Sequence, residues 1–427
     1  MTGAPRDASH SDRTTRPLDA PMTCGLYIHI PFCQRKCPYC DFNTYAGLES
    51  LHEQTVAALC TEMAQRRAQV AGRTVETIFI GGGTPTVLTH AQLTRLMEAV
   101  HANFSVDPAA EITCEANPGT VDREKFATLR ALGVNRLSLG VQSFQPEELT
   151  FLGRIHDVDD VTRAVEAARA AGFTNINLDF MFGLPGQSNA RWRDTLTRAL
   201  ALAPTHLSLY SLIVEPNTPL YHWVDTGKVD VPDDDVAGEQ YEIALEMLAA
   251  AGYRHYEVSN WAWATAEDRG EDRAHQLPVY ASRHNVVYWH NEDYVGIGPG
   301  AHSHLHTADG AGTMISQRWA NRRPVPGYVK RMAQGESVVD FSETLPPPVS
   351  MGETMMLGLR LIDEGVTFAR FRQRHRVDMR DVYDDTLAQL RQEGLLTVDA
   401  DGVRLTRHGL MLGNQVFMRF LAEPAAA

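Results

Sequence analysis

A unit made of a short apolar strand, a turn and an amphipathic helix recurs six times between Leu26 and Pro216. The β-branched or apolar runs predict strands at Leu26–Pro31, Thr77–Ile80, Glu111–Glu115, Arg136–Gly140, Asn175–Phe180 and His206–Leu212. The patterns between them predict helices at Ser50–Val70, His90–Ala102, Arg123–Leu132, Val158–Ala171 and Ala190–Ala203. Strands that alternate with helices form a parallel sheet. Six such units predict an α/β fold with a partial (β/α)6 barrel.

Glycines and polar residues follow the predicted strands directly. Three cysteines, Cys33, Cys37 and Cys40, follow the first strand. The later strands are followed or closed by Gly81–Thr86, Glu115–Pro118, Gly140–Ser143 and Asp179–Gly186. Because the carboxyl ends of barrel strands share one rim, where the chemistry of such barrels lies, we expect these residues to form one site.

The three cysteines place three thiols within eight residues, which suits one metal centre. Iron–sulfur clusters are usually held by four cysteine thiolates. Three close ligands without an evident fourth predict a [4Fe–4S] cluster with one iron open to a small molecule. A zinc knuckle would show a fourth cysteine or histidine in paired spacing. A disulfide scaffold is disfavoured by the low cysteine content, and Cys60 and Cys114 are interpreted as buried apolar side chains.

Composition limits the class of protein. With 427 residues, 44% of them hydrophobic, the chain can bury a large core and is expected to hold two domains. No apolar run approaches the roughly 18 residues of a membrane span, and no secretory segment is evident, which predicts a cytoplasmic protein. A formal net charge of −14 argues against a nucleic-acid-binding role, because phosphate contacts require a basic face.

The pattern divides the chain into a disordered tail at 1–21, a barrel at 22–225, a connecting segment at 226–340 and a C-terminal domain at 341–427. A helix is expected at Glu239–Ala251 in the connecting segment. The C-terminal domain is predicted to be mainly helical and winged-helix-like, with a hairpin at Leu395–Thr406 and a final helix at Leu410–Leu421. Acids and arginines nearly balance there, which favours a lid or partner-docking role over DNA binding.

The cysteine run, with Tyr39 just before its last cysteine, resembles the signature of the radical S-adenosylmethionine (SAM) superfamily, whose fold is a partial (β/α)6 barrel. Residues 24–420 further resemble the oxygen-independent coproporphyrinogen oxidase family. The segments that carry this second resemblance are Tyr27–Cys33, Gly81–Thr86, Glu115–Pro118 and Gly140–Phe144.

Two branches of that family differ at identifiable positions. The coproporphyrinogen III dehydrogenases carry a fourth cysteine two residues after the third, where this chain has Phe42. They also carry a longer N-terminal segment than the short tail before Tyr27. The heme chaperone branch, HemW, carries an HNxxYW motif, and residues 284–289 match it at every defined position. The resemblance to the heme chaperones is therefore the more specific one.

The resemblance implies that Cys33, Cys37 and Cys40 hold a [4Fe–4S] cluster whose fourth iron takes the amino and carboxylate groups of SAM. It implies that nine residues bind this cofactor: Tyr27, Tyr39, Gly82, Gly83, Thr84, Glu115, Gln142, Arg154 and Asp179. Taken singly, the glycine run is a turn, the arginine a surface residue and each carboxylate a structural group. Their joint placement on the rim favours a site, and a second SAM site, present in the dehydrogenases, is left open.

The HNxxYW motif supplies the candidate heme contacts. His284 is the main candidate, because a neutral imidazole can be an axial ligand of heme iron. Tyr288 and Trp289 offer planar surfaces to a macrocycle, and three nearby arginines could pair with propionates: Arg283, Arg322 and Arg323. Without the family motif, one histidine beside aromatic residues is more often a hydrogen-bonded core residue.

A second group of histidines follows the motif. His302, His304 and His306 alternate along the chain and would share one face of a strand. Such a face could be a metal or heme site, or the polar lining of the barrel mouth, which the sequence favours.

These features predict a heme chaperone that binds heme and transfers it to an acceptor, such as a respiratory protein, on a radical-SAM scaffold. The alternative is an oxygen-independent coproporphyrinogen III dehydrogenase, which performs an oxidative decarboxylation. A radical-SAM enzyme of tRNA modification is disfavoured by the acidic balance. Transient membrane association is compatible with the sequence, whereas a membrane span is not expected.

Overall fold

The computed structural model describes residues 22–270, 275–308 and 314–421. The disordered tail predicted at residues 1–21 lies outside the described residues. The strands are β1 Met22–Ile30, β2 Arg73–Gly82, β3 Val106–Ala116, β4 Arg136–Gln142, β5 Asn175–Phe182, β6 His206–Ser211, β7 Tyr253–Glu257, β8 Asn260–Trp263, β9 Tyr294–Ile297, β10 His302–Ala308, β11 Met314–Asn321, β12 Val339–Leu345, β13 Val366–Thr367, β14 Leu396–Val398 and β15 Gly402–Leu405.

The helices connect these strands and cover the sheet. They are α1 His52–Arg66, α2 His90–Asn103, α3 Arg123–Ala131, α4 Pro146–Phe151, α5 Val158–Ala170, α6 Asn189–Ala201, α7 Pro219–Asp225, α8 Asp234–Ala250, α9 Arg283–Trp289, α10 Val325–Ala333, α11 Pro347–Gly358, α12 Phe368–His375, α13 Met379–Gln392, α14 Arg407–Met411 and α15 Gly413–Met418. Within the described part of the chain, no helix combines the length and apolar character that a membrane span requires.

A twelve-stranded mixed sheet dominates the fold, in the order β12-β11-β10-β9-β1-β2-β3-β4-β5-β6-β8-β7. Strands β1 to β6 pair in parallel in chain order. All six predicted strands and the five predicted helices between them are present. This confirms the predicted α/β fold with a partial (β/α)6 barrel.

Strand β4 shows how the sequence separates the two faces of the sheet. Leu137 and Leu139 are fully buried in the main apolar core, which the sheet shares with the covering helices. Arg136 and Ser138 alternate with them and therefore face the interior of the barrel. The same alternation of apolar and polar side chains sets the other inward-facing positions used below.

The connecting segment is more regular than the sequence predicts. It adds β7 and β8 at one edge of the sheet and β9 to β11 at the other, where β12 crosses the predicted boundary with the C-terminal domain. The helix predicted at Glu239–Ala251 begins earlier, at Asp234, because the Asp233 carboxylate caps its start by accepting from the backbone N–H groups of Asp235 and Val236. The HNxxYW motif forms helix α9.

The C-terminal domain has its own apolar core, built around Phe371, Met379 and Val403. Its helices pack on a small antiparallel sheet of order β13-β15-β14, which agrees with the predicted winged-helix-like domain. The predicted final helix at Leu410–Leu421 is wrong in detail. The chain forms two short helices there, α14 and α15, because Leu412 leaves helical geometry just before Gly413, a poor helix former.

Candidate functional site

The cysteine loop lies at the carboxyl end of β1 and folds back on itself. The backbone N–H of Cys33 donates to the Tyr45 carbonyl at 2.9 Å, and that of Cys40 donates to the Cys37 carbonyl at 3.3 Å. These bonds hold the three cysteines on one compact loop. All three thiols are free and partly buried.

Each cysteine sulfur has a polar neighbour. The Thr84 hydroxyl donates to Cys33 Sγ at 3.7 Å, and Thr44 Oγ1 lies 3.8 Å from Cys40 Sγ. Arg154 Nη1 donates to Cys37 Sγ at 3.4 Å. Burial raises the pKa of the Cys33 and Cys40 thiols. Donors beside buried sulfurs favour the thiolate, which is the form that ligates metal.

These thiols fit a multinuclear cluster by their chemistry. Among the described residues, no three His, Cys, Asp or Glu side chains are grouped so that they could hold one metal ion, and this includes the cysteine loop. In an iron–sulfur cluster each thiolate can bind a different iron, so the sulfurs need not converge on a single point. The donor set of three thiols with flanking hydroxyl and guanidinium groups therefore suits a [4Fe–4S] cluster.

The glycine turn after β2 packs against the start of the cysteine loop. The backbone N–H of Gly83 donates to the Ile30 carbonyl, and a Cβ on Gly83 would lie 2.5 Å from the Phe32 carbonyl oxygen. Gly82 has a φ of 103°, and a Cβ there would clash with His29 Nδ1. The absence of a Cβ at Gly82 and Gly83 therefore allows this turn to pack closely against β1 and the residues just after it. Packing alone requires glycine at both positions, whether or not a cofactor binds.

Near the rim, Glu115 on β3 and Asp179 on β5 face the barrel interior from the two strands that flank β4. Glu115 Oε2 accepts from the backbone N–H of Gly82 at 2.9 Å. Asp179 accepts from the Ser138 hydroxyl at 3.0 Å and from the Asn177 amide at 2.7 Å. Burial, followed by the charge of Asp179, raises the pKa of Glu115 to about 7, and burial also raises the pKa of Asp179. Such carboxylates favour a cationic ligand, and SAM carries a permanent positive charge on its sulfonium.

Gln142 and Arg154 meet at the end of β4. A Cβ on Gly140 would lie 3.0 Å from Gln142 Nε2 and 3.2 Å from Arg154 Nη2. Arg154 Nη2 also donates to the Gly140 carbonyl at 2.8 Å. Gln142 has a φ of 70°, a left-handed backbone that costs a non-glycine residue of order 1–3 kcal/mol. The end of β4 thus has an energetically unfavourable backbone conformation beside the cysteine loop.

The two predicted tyrosines have different surroundings. The Tyr27 hydroxyl bonds to His29 Nδ1 at 2.8 Å, and the other ring nitrogen of His29 bonds to the Asn43 carbonyl at 3.0 Å. Tyr39 packs against the apolar cluster that contains Leu152 and Met181. Sequence reasoning missed His29, although a histidine that alternates with Ile28 and Ile30 indicates an inward-facing polar position.

The HNxxYW helix lies below this rim, toward the amino ends of the barrel strands. His284 is 1% exposed, and its ring stacks on that of Phe79. Its Nδ1 bonds to Thr77 Oγ1 and its Nε2 to the Tyr288 hydroxyl, both at 2.9 Å. Glu111 accepts from the backbone N–H groups at the start of the helix. Burial lowers the pKa of His284 to about 3, so the imidazole is neutral.

The described conformation leaves His284 no free nitrogen for an axial bond to iron. Tyr288 contacts Tyr294 edge-to-face, while Trp289 lies under the Arg360 guanidinium, whose Cζ is 4.4 Å from the ring centre. The three aromatic residues of the motif therefore do not share one open surface. Their heme contacts stay a prediction that requires one hydrogen bond of His284 to break.

The three histidines of the second group, His302, His304 and His306, have different surroundings. His304 Nε2 bonds to the Ser316 hydroxyl at 2.5 Å, and His306 Nδ1 bonds to Asp293 at 2.8 Å. His302 is exposed. The three residues do lie on one strand, β10, but these contacts build a polar strand face and no common ligand set among the described residues.

Comparison with known proteins agrees with this geometry. The profile of the Radical SAM superfamily matches residues 27–199, and that of the HemN C-terminal domain matches residues 345–412. A protein named heme chaperone HemW from Bacillus subtilis is 38% identical over 402 residues, which cover 93% of this chain and 99% of that protein. Its namesake from Escherichia coli is 38% identical over 405 residues, which cover 93% and 98%.

A solved structure gives the same architecture. Coproporphyrinogen III oxidase (HemN) from Escherichia coli, described as a radical SAM enzyme, superimposes with a TM-score of 0.77 at 25% sequence identity. The match covers 94% of this chain and 90% of that one. With relatives above 30% identity along nearly its whole length, the chain belongs to the HemW family of the radical SAM superfamily.

Proposed function

We propose that this chain is a heme chaperone, which binds heme and passes it to an acceptor protein. One observation carries the proposal: the similarity to proteins named heme chaperone HemW extends over 93% of the chain and 99% of the Bacillus subtilis relative. The aligned region, which is 38% identical, includes the barrel, the HNxxYW helix and the C-terminal domain. A respiratory heme protein is the expected class of acceptor, and a cytoplasmic location stays a prediction.

The cofactors of this proposal are a [4Fe–4S] cluster, SAM and heme. Cys33, Cys37 and Cys40 would hold the cluster, which supplies one-electron chemistry when it is bound. The SAM-binding residues are proposed at the rim, where Glu115 and Asp179 offer carboxylates and Arg154 a guanidinium. The heme-contact segment is proposed at α9, where His284 would exchange its bond with Tyr288 for one with the iron.

A second candidate is oxygen-independent coproporphyrinogen III dehydrogenase. The likeness to the Escherichia coli coproporphyrinogen III oxidase over 94% of the chain favours it. Against it stands Phe42, which is 61% exposed at the position where the dehydrogenases carry a fourth cysteine. An exposed phenyl ring cannot ligate a metal or donate a proton, so any chemistry of that cysteine would be absent here.

Two measurements on the anaerobically reconstituted full chain separate the candidates. Titration with hemin, followed by the Soret band, should saturate near one heme per chain, and the loaded chain should transfer heme to an apo-heme protein. Anaerobic incubation with coproporphyrinogen III, SAM and a reductant should yield no protoporphyrinogen. Product formation would favour the dehydrogenase, and absence of stoichiometric heme binding would overturn the chaperone proposal.

A further inference from the structure

Among the described residues, three buried polar side chains of the barrel interior have donors without a hydrogen-bond partner. Arg136, on the inward face of β4, is 2% exposed, yet its guanidinium donates no hydrogen bond and forms no ion pair within the described part of the chain. Thr113 is completely buried, and its hydroxyl has no partner among the described residues. The buried hydroxyl of Ser282, just before α9, is likewise unpaired there. All three groups are hydrogen-bond donors.

Two of these donors lie at one level of the barrel, and the third lies beside Tyr256. Thr113 and Arg136 are register partners on the adjacent strands β3 and β4. The backbone N–H of Ser282 donates to the Tyr256 hydroxyl at 2.9 Å, and the charge of Arg136 lowers the pKa of Tyr256 against the rise caused by burial. The same charge, after burial, lowers the pKa of His284. Arg136 is therefore adjacent to β3, and its charge acts on His284 in the HNxxYW helix.

The carboxylates on the inward faces of β3 and β5 already accept hydrogen bonds from other groups. Glu115 accepts from the Gly82 backbone, Asp179 from Ser138 and Asn177, and Glu111 from the first N–H groups of α9. The charge of Arg136 acts on the pKa of Glu115 and Asp179, but neither carboxylate is in ion-pair contact with it. A buried cation without a contacting anion is costly, and an anionic ligand would remove that cost.

We propose that the barrel interior binds a carboxylate against Arg136, with the hydroxyls of Thr113 and Ser282 as additional donors. A carboxylate is planar, carries one charge and pairs with a guanidinium through two parallel hydrogen bonds. A phosphate would bring a second negative charge beside Glu111, Glu115 and Asp179, which disfavours it. The site thus fits a singly charged carboxylate.

Two ligands of the proposed function carry such a group: a propionate of the tetrapyrrole, and the methionine end of SAM. Arg136 lies four residues before Gly140 along β4, which places it about 13 Å below the rim. Arg154 already offers a guanidinium at the rim, beside Cys37. The deeper position, next to His284, favours the propionate. This assignment rests on the proposed heme binding.

The test uses the full chain with its reconstituted cluster and two probes, hemin and hemin dimethyl ester. The ester keeps the iron and the macrocycle but has no carboxylate charge. Wild type should bind hemin at least about tenfold more tightly than the ester, since hydrogen bonds between a guanidinium and a carboxylate are among the strongest in proteins. Arg136→Gln should abolish this preference by weakening hemin binding and leaving ester binding unchanged.

Two further variants distinguish loss of the carboxylate contact from loss of the folded structure. Thr113→Val preserves shape, removes one donor and should weaken hemin binding by roughly threefold to tenfold. It should weaken ester binding by less, because an ester carbonyl is a weaker acceptor than a carboxylate. Arg163→Gln, on the exposed face of α5, is the matched control and should behave as wild type. Arg136→Gln is titrated well below its own Tm, and unchanged binding of the ester shows that its barrel is intact.

The outcomes are distinct. Equal loss of hemin and ester, or a preference that survives both Arg136→Gln and Thr113→Val, would overturn the carboxylate site. Weaker SAM binding by Arg136→Gln in equilibrium dialysis, with the preference for hemin retained, would overturn the propionate assignment and give the site to SAM. If wild type binds hemin and its ester equally, only this inference fails. If it binds neither, the proposed function fails with it.

Discussion

The Arg154 guanidinium joins two parts of the rim: Nη1 donates to Cys37 Sγ at 3.4 Å, while Nη2 donates to the Gly140 carbonyl at 2.8 Å. The cysteine loop and the end of β4 are thereby linked through one cation. Gly153 adds to this link, because a Cβ on it would lie 2.8 Å from the Pro38 ring. A positive charge in contact with one ligand sulfur also stabilises the thiolate that binds iron.

Arg154→Met should therefore weaken the cluster site while leaving the fold intact. Methionine keeps much of the side-chain volume but removes the charge and both hydrogen bonds. Loss of an interaction of this kind typically lowers metal affinity about tenfold to hundredfold. Iron content per chain after competition with a chelator measures the effect, and Arg163→Met on the exposed face of α5 is the control. Equal iron retention in both variants would show that the contact does not support the cluster.

Gly83→Ala should displace the cysteine loop. The added Cβ would meet the Phe32 carbonyl oxygen at 2.5 Å and the Ile30 carbonyl oxygen at 2.8 Å, and backbone atoms cannot move aside as a side chain does. We expect a loss of stability of about 2 kcal/mol and incomplete cluster loading. Gly327→Ala, in α10, meets nothing within 4 Å and should instead stabilise by about 0.5–1 kcal/mol. Urea unfolding and iron analysis of the two variants provide the comparison.

Glu115 should make the ligand-free protein less stable as the pH rises. Burial, with the charge of Asp179, raises its pKa from 4.5 to about 7, so the folded state keeps a proton that the unfolded state loses. The stability that protonated Glu115 confers is fully present below about pH 4.5 and is lost as the pH rises through 7. The free energy of unfolding decreases by on the order of 3 kcal/mol. Glu115→Gln should remove this fall, so the difference in Tm between variant and wild type should grow from pH 5 to pH 8.

The same ionisation should govern binding of a cationic ligand. If ionised Glu115 attracts the positively charged SAM, SAM should bind more tightly at pH 8 than at pH 6 in wild type, and Glu115→Gln should flatten this dependence. A pH-independent affinity in wild type would remove Glu115 from the cofactor site, whereas the stability prediction would stand on its own.

The barrel could be predicted because a short stretch of sequence is enough to indicate each of its strands and helices. Each of the six strands is a short apolar run followed by a turn, and the alternation of Leu137 and Leu139 with Arg136 and Ser138 determines which face is buried. The sequence does not predict strands β7 to β9, β11 and β12, because they are short or carry many polar residues, as β12 does, whereas the alternating histidines of β10 are compatible with a strand. Their pairing depends on the sheet edges that β1 and β6 leave open.

The site contacts could be predicted only in part. The cysteines, the glycine turn and the carboxylates are marked by their position after strands, and they do meet at one rim. The bond between Arg154 and Cys37 joins residues 117 apart, and that between Glu111 and the start of α9 joins residues 173 apart. Sequence spacing contains no signal for such contacts, so the location of the HNxxYW helix beneath the rim required the structure.

His284 provides the sharpest test of the heme-contact segment, because its Nε2 is bonded to the Tyr288 hydroxyl. If that nitrogen binds heme iron, Tyr288→Phe removes its competitor and should tighten hemin binding or leave it unchanged, with the Soret maximum of wild type. His284→Ala should lose or shift the Soret band. It should also cost about 2–4 kcal/mol in stability, because it leaves a cavity beside Phe79 and strips Thr77 of its partner. Hemin titrations of both variants at a temperature where each is folded separate coordination from stability. Identical Soret spectra in wild type and His284→Ala would confine His284 to packing α9 against the barrel.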